Sequence, residues 1–322
     1  MNLQSFARKA SNYATAGVPF LFIIDFELQK PMLYRLEDAE NKGIYYNIKG
    51  KSNISTPALH PNVEEKSTPI DKHFFSERFQ KVITHLKNGD SYLLNLTFPT
   101  PIKINLTLAE IFREAQAPYK LLYKDRFVVF SPECFIKTGN GEIFTYPMKG
   151  TIDTAVEDAQ NLLLNNKKEE WEHNTIVDLM RNDLSMVASD VALSRYRFIE
   201  RIKTQKGEIL QTSSEIKGKL PKGWQKNLGD ILLILLPAGS ISGAPKKKTV
   251  EIIRQTEIDR RGYYTGIFGI FDGENLDSAV SIRFIEKKKN KSLYRSGGGV
   301  TAYSNLDDEY QEIIQKIYVP VV

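Results

Sequence analysis

Residues 127–151 read "FVVFSPECFIKTGNGEIFTYPMKGT", and this run limits the fold more than any other stretch. It gives two strand-like segments, "FVVFSPECFIKT" and "GEIFTYPMKGT", joined by "GNG", a hairpin turn in which glycine supplies the positive φ. So short a connection joins antiparallel neighbours, because parallel ones need a crossover of a dozen residues or more. Strand-like runs recur in "PFLFIIDFE", "SYLLNLTFP", "EILQTSSEIKGKL", "GYYTGIFGIFD", "SAVSIRFIE" and "SLYRSGGGVTAYS". Helical segments lie between them. "KHFFSERFQKVITHLKNGD" spaces Phe75, Phe79, Val82, Ile83 and Leu86 along one helical face, and a long helical tract runs from Ala155 to about Ala188. Another helix opens at "GAPKKKTVEIIRQTE", and the last begins near Asp307. Hairpins mixed with long helices, without regular βαβ alternation, predict an α+β fold.

"ISTPALHPNVEEKSTPID" is a Pro/Ser/Thr-rich loop, but no linker halves the chain and no repeat is visible. Residues 1–322 are expected to form one large unit. The 44 Lys and Arg exceed the 39 Asp and Glu by a margin spread along the chain, which suits an anionic small substrate better than nucleic acid. "PKKKT" and "EKKKNKS" read as solvated faces. The single Cys134 excludes a disulfide framework and reads as a buried thiol in a reducing compartment. "MNLQSFARKASNYATAG" has no apolar core of signal-peptide length, and "ILLILLP" is too short to span a bilayer, so a cytoplasmic location without membrane contact is expected.

Chemistry is carried by carboxylates, glycines and a few cations. "KKEEWEHNTIVDLMRNDL" puts Glu169 and Glu172 three residues apart on one helical face, and "DDEYQEIIQK" does the same for Glu309 and Glu312, with Lys316 a turn further on. Two such pairs facing each other would repel without a cation, and Mg2+ favours hard oxygen ligands. Each pair alone also fits a plain solvated surface. "PAGSISGAP" precedes a helix and bares backbone N–H groups, as an anion site or an ordinary capped start. "SGGGV" allows close backbone approach to a ligand, or a bulge. Arg283 in "VSIRFIE" is paired structurally or reads a carboxylate as a fork. The four His, His60 and His73 among them, show no ligand or triad spacing. Lys149, between a proline turn and a glycine, reads locally as a surface amine.

In order, "SPECF", "YPMKGT", "EHNTIVDLMRNDL", "GSISGAPK", "RRGYYTGIFG", "SIRF" and "SGGGV" with "DDEYQEIIQK" resemble the chorismate-utilising enzymes from about residue 70 onward, residues 1–70 matching less strongly. Within them the chain most resembles the aminodeoxychorismate synthase component I branch, the para-aminobenzoate branch of folate biosynthesis. The resemblance implies a four-layer β/α/α/β sandwich with chorismate and Mg2+ between central helices. It implies Glu172 and Glu312 as direct Mg2+ ligands, with Glu169 and Glu309 as water-bridged carboxylates. Arg283, Tyr264, Gly297, Gly299 and Lys316 match substrate-binding positions, Ser240 stands where Thr is usual, and Gly150 and Thr151 are expected to line the same cavity. Lys149 matches the branch's nucleophile, attacking C2 as the 4-hydroxyl leaves, protonated by Glu133; ammonia then adds at C4 and releases the lysine. The resemblance further implies ammonia from a separate glutamine amidotransferase in a heterodimer. Alternatives are an anthranilate synthase component I, or a weakly catalytic subunit that mainly docks the amidotransferase. Two departures stand out: Gln211 in place of a usual histidine, and Leu93 where the hydrolytic members carry a water-activating lysine. The short N-terminal region also makes a tryptophan pocket unexpected.

Overall fold

Side chains alternate in direction along a strand, and one strand, Phe20–Ile24, shows how the layers stack. Phe20, Phe22 and Ile24 pack in one cluster with Phe6, Ala10 and Ala14 of the Leu3–Thr15 helix. Leu21 and Ile23 pack in another with Tyr119, Leu121, Val129 and Phe284, all residues of a second sheet. The computed structural model describes residues 1–54, 63–204, 207–289 and 291–320. His60 and much of the Pro/Ser/Thr-rich loop lie outside these.

Two antiparallel sheets, each of nine strands among the described residues, organise the chain. The first runs in the order Met148–Asp153, Gly207–Lys219, Glu142–Thr145, Cys134–Gly139, Leu276–Val280, Ile267–Phe271, Phe20–Ile24 and Met32–Arg35, with Ser189–Thr204 on the other edge of Gly207–Lys219. The second runs Gly243–Ala244, Leu93–Ile104, Lys291–Val300, Phe284–Lys288, Phe127–Ser131, Tyr119–Tyr123, Ile44–Ile48 and Lys51–Ser52, with Glu65–Ser67 beside Leu93–Ile104. The expected pair of antiparallel sheets is present. Helices pack against both, as the β/α/α/β expectation has it: Phe22 and Phe271 of the first sheet and Leu94, Phe98 and Val300 of the second share one cluster with the helix residues Phe75, Phe79, Ile176, Met180, Leu232 and Ile252. In a second cluster the sheets meet directly, Leu21, Ile23, Phe268 and Ile270 against Ile44, Tyr119, Leu121 and Phe127. A further helix packs on the second sheet, with Leu108, Ile111 and Phe112 of Leu108–Glu114 against Val128, Phe130 and Ile285.

Several elements depart from the sequence reading for local reasons. "FVVFSPECFIKT" is two strands in different sheets, Phe127–Ser131 and Cys134–Gly139, with Pro132 and Glu133 at the crossing. "SAVSIRFIE" likewise splits into Leu276–Val280 and Phe284–Lys288, and Arg283 adopts φ 53° between them. The two crossings are bonded to each other: Phe130 N–H donates to Arg283 O at 3.0 Å and Val280 N–H to Glu133 O at 3.1 Å. The tract from Ala155 to Ala188 is two helices, Ala159–Asn165 and Lys167–Ser185, parted by Asn166, whose side chain caps the second by accepting from Glu169 N–H at 3.1 Å. The "GNG" hairpin is as expected, with Asn140 and Gly141 both at positive φ. Lys246 of "PKKKT" is not simply solvated, since it pairs with buried Asp183 at 2.8 Å. Cys134 is free and buried, as expected. No helix among the described residues is long and apolar enough to cross a membrane.

The N-terminal helix owes its place to one glycine. A Cβ on Gly229, in the Leu228–Ile234 helix, would lie 2.2 Å from Ala7 O. Gly229→Ala is therefore expected to cost about 1–3 kcal/mol, read as a lower urea midpoint with an unchanged slope.

Candidate active site

A cavity of about 830 Å³ opens beside the crossings, and its wall includes Glu133, Lys149, Glu172, Ser240, Glu312 and Lys316. Five different stretches of chain supply them. Strand Met148–Asp153 lies at an edge of the first sheet and is irregular between Lys149 and Thr151, where Gly150 takes φ 78°. A Cβ on Gly150 would meet Leu163 Cδ1 at 3.1 Å and Glu169 Oε2 at 3.4 Å, so glycine lets the helices come close. Lys149 then reaches the Lys167–Ser185 helix, its Nζ 2.6 Å from Glu172 Oε2.

The opposite wall is built around "SGGGV". Its glycines continue the Lys291–Val300 strand in register with Leu93–Ile104, with no register shift. A Cβ on Gly298 would stand 3.1 Å from Glu309 Oε2 and 3.6 Å from Glu312 Oε1, so absent side chains admit the Leu306–Gln315 helix and its two carboxylates. Lys316 at that helix's end donates to Gly297 O at 3.0 Å and pairs with Glu312 Oε1 at 2.5 Å. Gly297, Gly299, Tyr264 and Arg283 also line the cavity. The Arg283 guanidinium donates to Lys316 O at 2.7 Å and lies 4.7 Å from the Tyr318 ring centre, so in this structure its fork is partly engaged by the protein.

The two carboxylate pairs come to one region, as their spacing suggested. Burial, followed by repulsion from Glu312 and Glu172, pushes Glu309 above the ordinary carboxylate range against a hydrogen bond from Ser304. Burial works to lower the Lys149 pKa, but Glu172, Glu312 and Glu169 outweigh it and raise it, holding an ammonium group. Burial likewise raises Glu133, against a hydrogen bond from Ser240 Oγ at 2.5 Å and the charge of Lys316. A carboxyl whose pKa is raised at a cavity wall holds its proton to higher pH than a free one and can donate it.

Glu169 Oε2 and Glu309 Oε2 are buried with no hydrogen-bond partner, and the Glu309 side chain belongs to a residue only 4% exposed. Buried acceptor-only oxygens without a donor suit a hard cation. No ready-made cage of three or more His, Cys, Asp or Glu exists among the described residues, and ammonium groups sit on Glu172 and Glu312. Gly150, Thr151 and Gln211 are not on the cavity wall. Thr151 faces solvent, and Gln211 is buried in the sheet opposite Thr151 and Glu200, its Nε2 without a partner.

Three residues escaped the sequence reading. Asn95 lines the cavity with a buried, unpartnered Oδ1; its place between Leu94 and Leu96 in an alternating strand was the available signal. Trp171, 73% exposed, stands at the cavity on the polar face of its helix. His173 is buried with Nε2 2.6 Å from Ser214 Oγ, and burial, with Arg197 and Lys149, pushes it down to about 4, which keeps it neutral at pH 7.

Behind the wall, Arg261 is 1% exposed. It bonds both Glu257 oxygens at 2.9 and 2.7 Å and donates to Ile241 O at 2.8 Å and to Asn95 O. It thus joins the Leu93–Ile104 strand to the Gly239–Ser242 turn that carries Ser240. Arg261→Met leaves Glu257 charged and buried, so a loss of about 3–5 kcal/mol is expected in denaturant unfolding.

The profile of the chorismate binding enzymes matches residues 21–321. An uncharacterized PabA-like protein of Haemophilus influenzae is 54% identical over 321 residues, spanning 99% of this chain and 97% of that one. Aminodeoxychorismate synthase component 1 of Escherichia coli is 32% identical over 259 residues, spanning 76% of this chain and 56% of its own length. Among solved structures, anthranilate synthase component I of Streptococcus pneumoniae superposes with a TM-score of 0.65 at 26% identity, covering 82% of this chain and 61% of that one.

Proposed function

This chain belongs to the chorismate binding enzyme family, and on that footing we propose that it aminates chorismate with ammonia to 4-amino-4-deoxychorismate. The observation that carries this reading is Lys149, an amine on the cavity wall 2.6 Å from Glu172 and across the site from Glu312. Overall likeness to aminodeoxychorismate synthases and anthranilate synthases is comparable, so a group at the reacting centre is the better discriminator.

In this mechanism Lys149, once deprotonated, adds to C2 of chorismate as both ring double bonds shift and the C4–O bond breaks. Glu133 gives its proton to the departing 4-hydroxyl, which leaves as water. Ammonia then bonds to C4, the double bonds shift back, and the C2–N bond breaks to return the lysine. Arg283 and Lys316 favour the substrate's carboxylates by charge. Leu93 offers no group to activate water, which favours ammonia as the second nucleophile.

Glu172 and Glu312 are the residues that would hold Mg2+, with Glu169 and Glu309 behind them. Bound there, the cation would neutralise the ring carboxylate of the substrate. Ammonia is read as coming from a separate glutamine amidotransferase, consistent with the component 1 names among the relatives. Gln211, away from the cavity wall, is given no proton-transfer role.

Lys149→Ala, assayed with chorismate, Mg2+ and ammonium, should lose about a thousandfold or more in turnover. Wild-type protein incubated with chorismate but no ammonia should carry a mass adduct at Lys149. Direct release of anthranilate by the wild type would move the assignment to anthranilate synthase. Unchanged turnover in the variant would reduce Lys149 to a positioning charge.

The acid role of Glu133 has its own signature. Activity should fall as pH rises through its elevated pKa, because the protonated form is the one that acts. Ser240→Ala removes a contact that lowers that pKa, so the alkaline limb should move to higher pH. Glu133→Gln should abolish that limb and cost about a hundredfold or more in kcat.

A further inference from the structure

Both carboxylates read as direct cation ligands already hold an ammonium group. The two pairs are built differently. Lys316 follows Glu312 by four residues at the end of one helix, and its Nζ has a second acceptor in Gly297 O at 3.0 Å. Lys149 comes from a separate element, and its 2.6 Å contact ties the edge strand Met148–Asp153 to the Lys167–Ser185 helix. Behind these pairs Glu169 Oε2 and Glu309 Oε2 remain buried and unpartnered. Four carboxylates thus face two ammonium groups, which leaves formally two negative charges, the charge of one divalent cation.

We propose that Lys149 is the resident counter-cation of Glu172, and that Lys149 and the divalent cation are antagonists, so that binding of the cation drives the amine off Glu172 into the cavity. The proposal rests on the reading of Glu172 and Glu312 as the cation's ligands. Glu172 has a second oxygen and could touch both groups. Two positive charges a few ångströms apart in a cavity of low dielectric nevertheless repel by several times their repulsion in water. The cation has other oxygens to hold it, on Glu312, Glu169 and Glu309, whereas Lys149 is a single side chain carried on an edge strand. The lysine therefore yields.

This assigns an order to the site. Without the cation, Lys149 neutralises Glu172, and its amine is held against that carboxylate at the cavity wall. With the cation in place, the same side chain becomes available as a nucleophile. The edge position of its strand and the irregularity at Gly150 give the backbone there fewer sheet constraints than a central strand has.

Calorimetric titration of MgCl2 into the substrate-free protein tests this without reference to turnover. Lys149→Met keeps the length and removes the charge, and should bind Mg2+ about tenfold more tightly than the wild type, the scale of one charge-assisted contact. Lys149→Arg keeps the charge and should bind no more tightly than the wild type. Thermal melts show whether each variant is folded, and Mg2+ should raise the melting temperature of the Met variant more than that of the wild type. Equal affinity in the Met variant and the wild type would overturn the antagonism and leave the cation site standing. Equal tightening in the Met and Arg variants would assign the effect to shape and overturn it too. Failure of all three proteins to bind Mg2+ would overturn the cation reading and this inference with it.

Discussion

Two antiparallel sheets share one apolar face, and the site depends on how the chain passes between them. Leu21, Ile23, Phe268 and Ile270 pack against Tyr119, Leu121, Phe127 and Phe284, and a strand can leave one sheet for the other only where its ladder stops. It does so at Pro132–Glu133 and at Ser281–Arg283, and these breaks bond to each other through Phe130 N–H and Val280 N–H. Proline cannot donate to a ladder, and Arg283 takes a left-handed φ, so both breaks are set locally. Their consequence is chemical. A carboxyl and a guanidinium are presented at one junction, facing the cavity.

Charge balance is the second constraint. Glu169, Glu172, Glu309 and Glu312 converge from two helices that the sequence separates by well over a hundred residues. Burying carboxylates without partners is costly. Lys149 and Lys316 satisfy two of them, and the remaining orphan oxygens on Glu169 and Glu309 mark where a further positive charge fits. The same carboxylates that would hold a cation raise the pKa of Lys149, so a nucleophilic role requires that their pull be relieved.

Elements with a strong, regular period were legible. Helix Lys72–Lys87 buries the five apolar residues its spacing pointed to, and Asp71 caps it by accepting from Phe74 N–H at 2.9 Å. The Leu3–Thr15 helix was missed because its buried face uses Ala7, Ala10, Ser11 and Ala14, small residues that fit the close approach of Gly229. Strand Ser189–Thr204 was missed because three register irregularities interrupt its period of two. At the site, the paired glutamates and "SGGGV" could be seen in advance. His173 could not, since an isolated polar residue declares a role only when its surroundings leave it buried or unpartnered.

By itself the sequence determined the α+β class, the antiparallel hairpins, the carboxylate pairs at helical spacing, and the order of motifs that resembles the chorismate-utilising enzymes. These follow from short-range rules: side-chain periodicity, turn glycines and capping residues. Only the tertiary structure decided which of the candidate residues reach the cavity, and the state of Lys149. Gly150, Thr151 and Gln211 fall off the wall while their neighbour Lys149 lies on it. In a strand adjacent side chains point to opposite faces, and which face meets a cavity is fixed by packing between distant segments. The charge on Lys149 has the same origin, because the glutamates that hold it come from elsewhere in the chain.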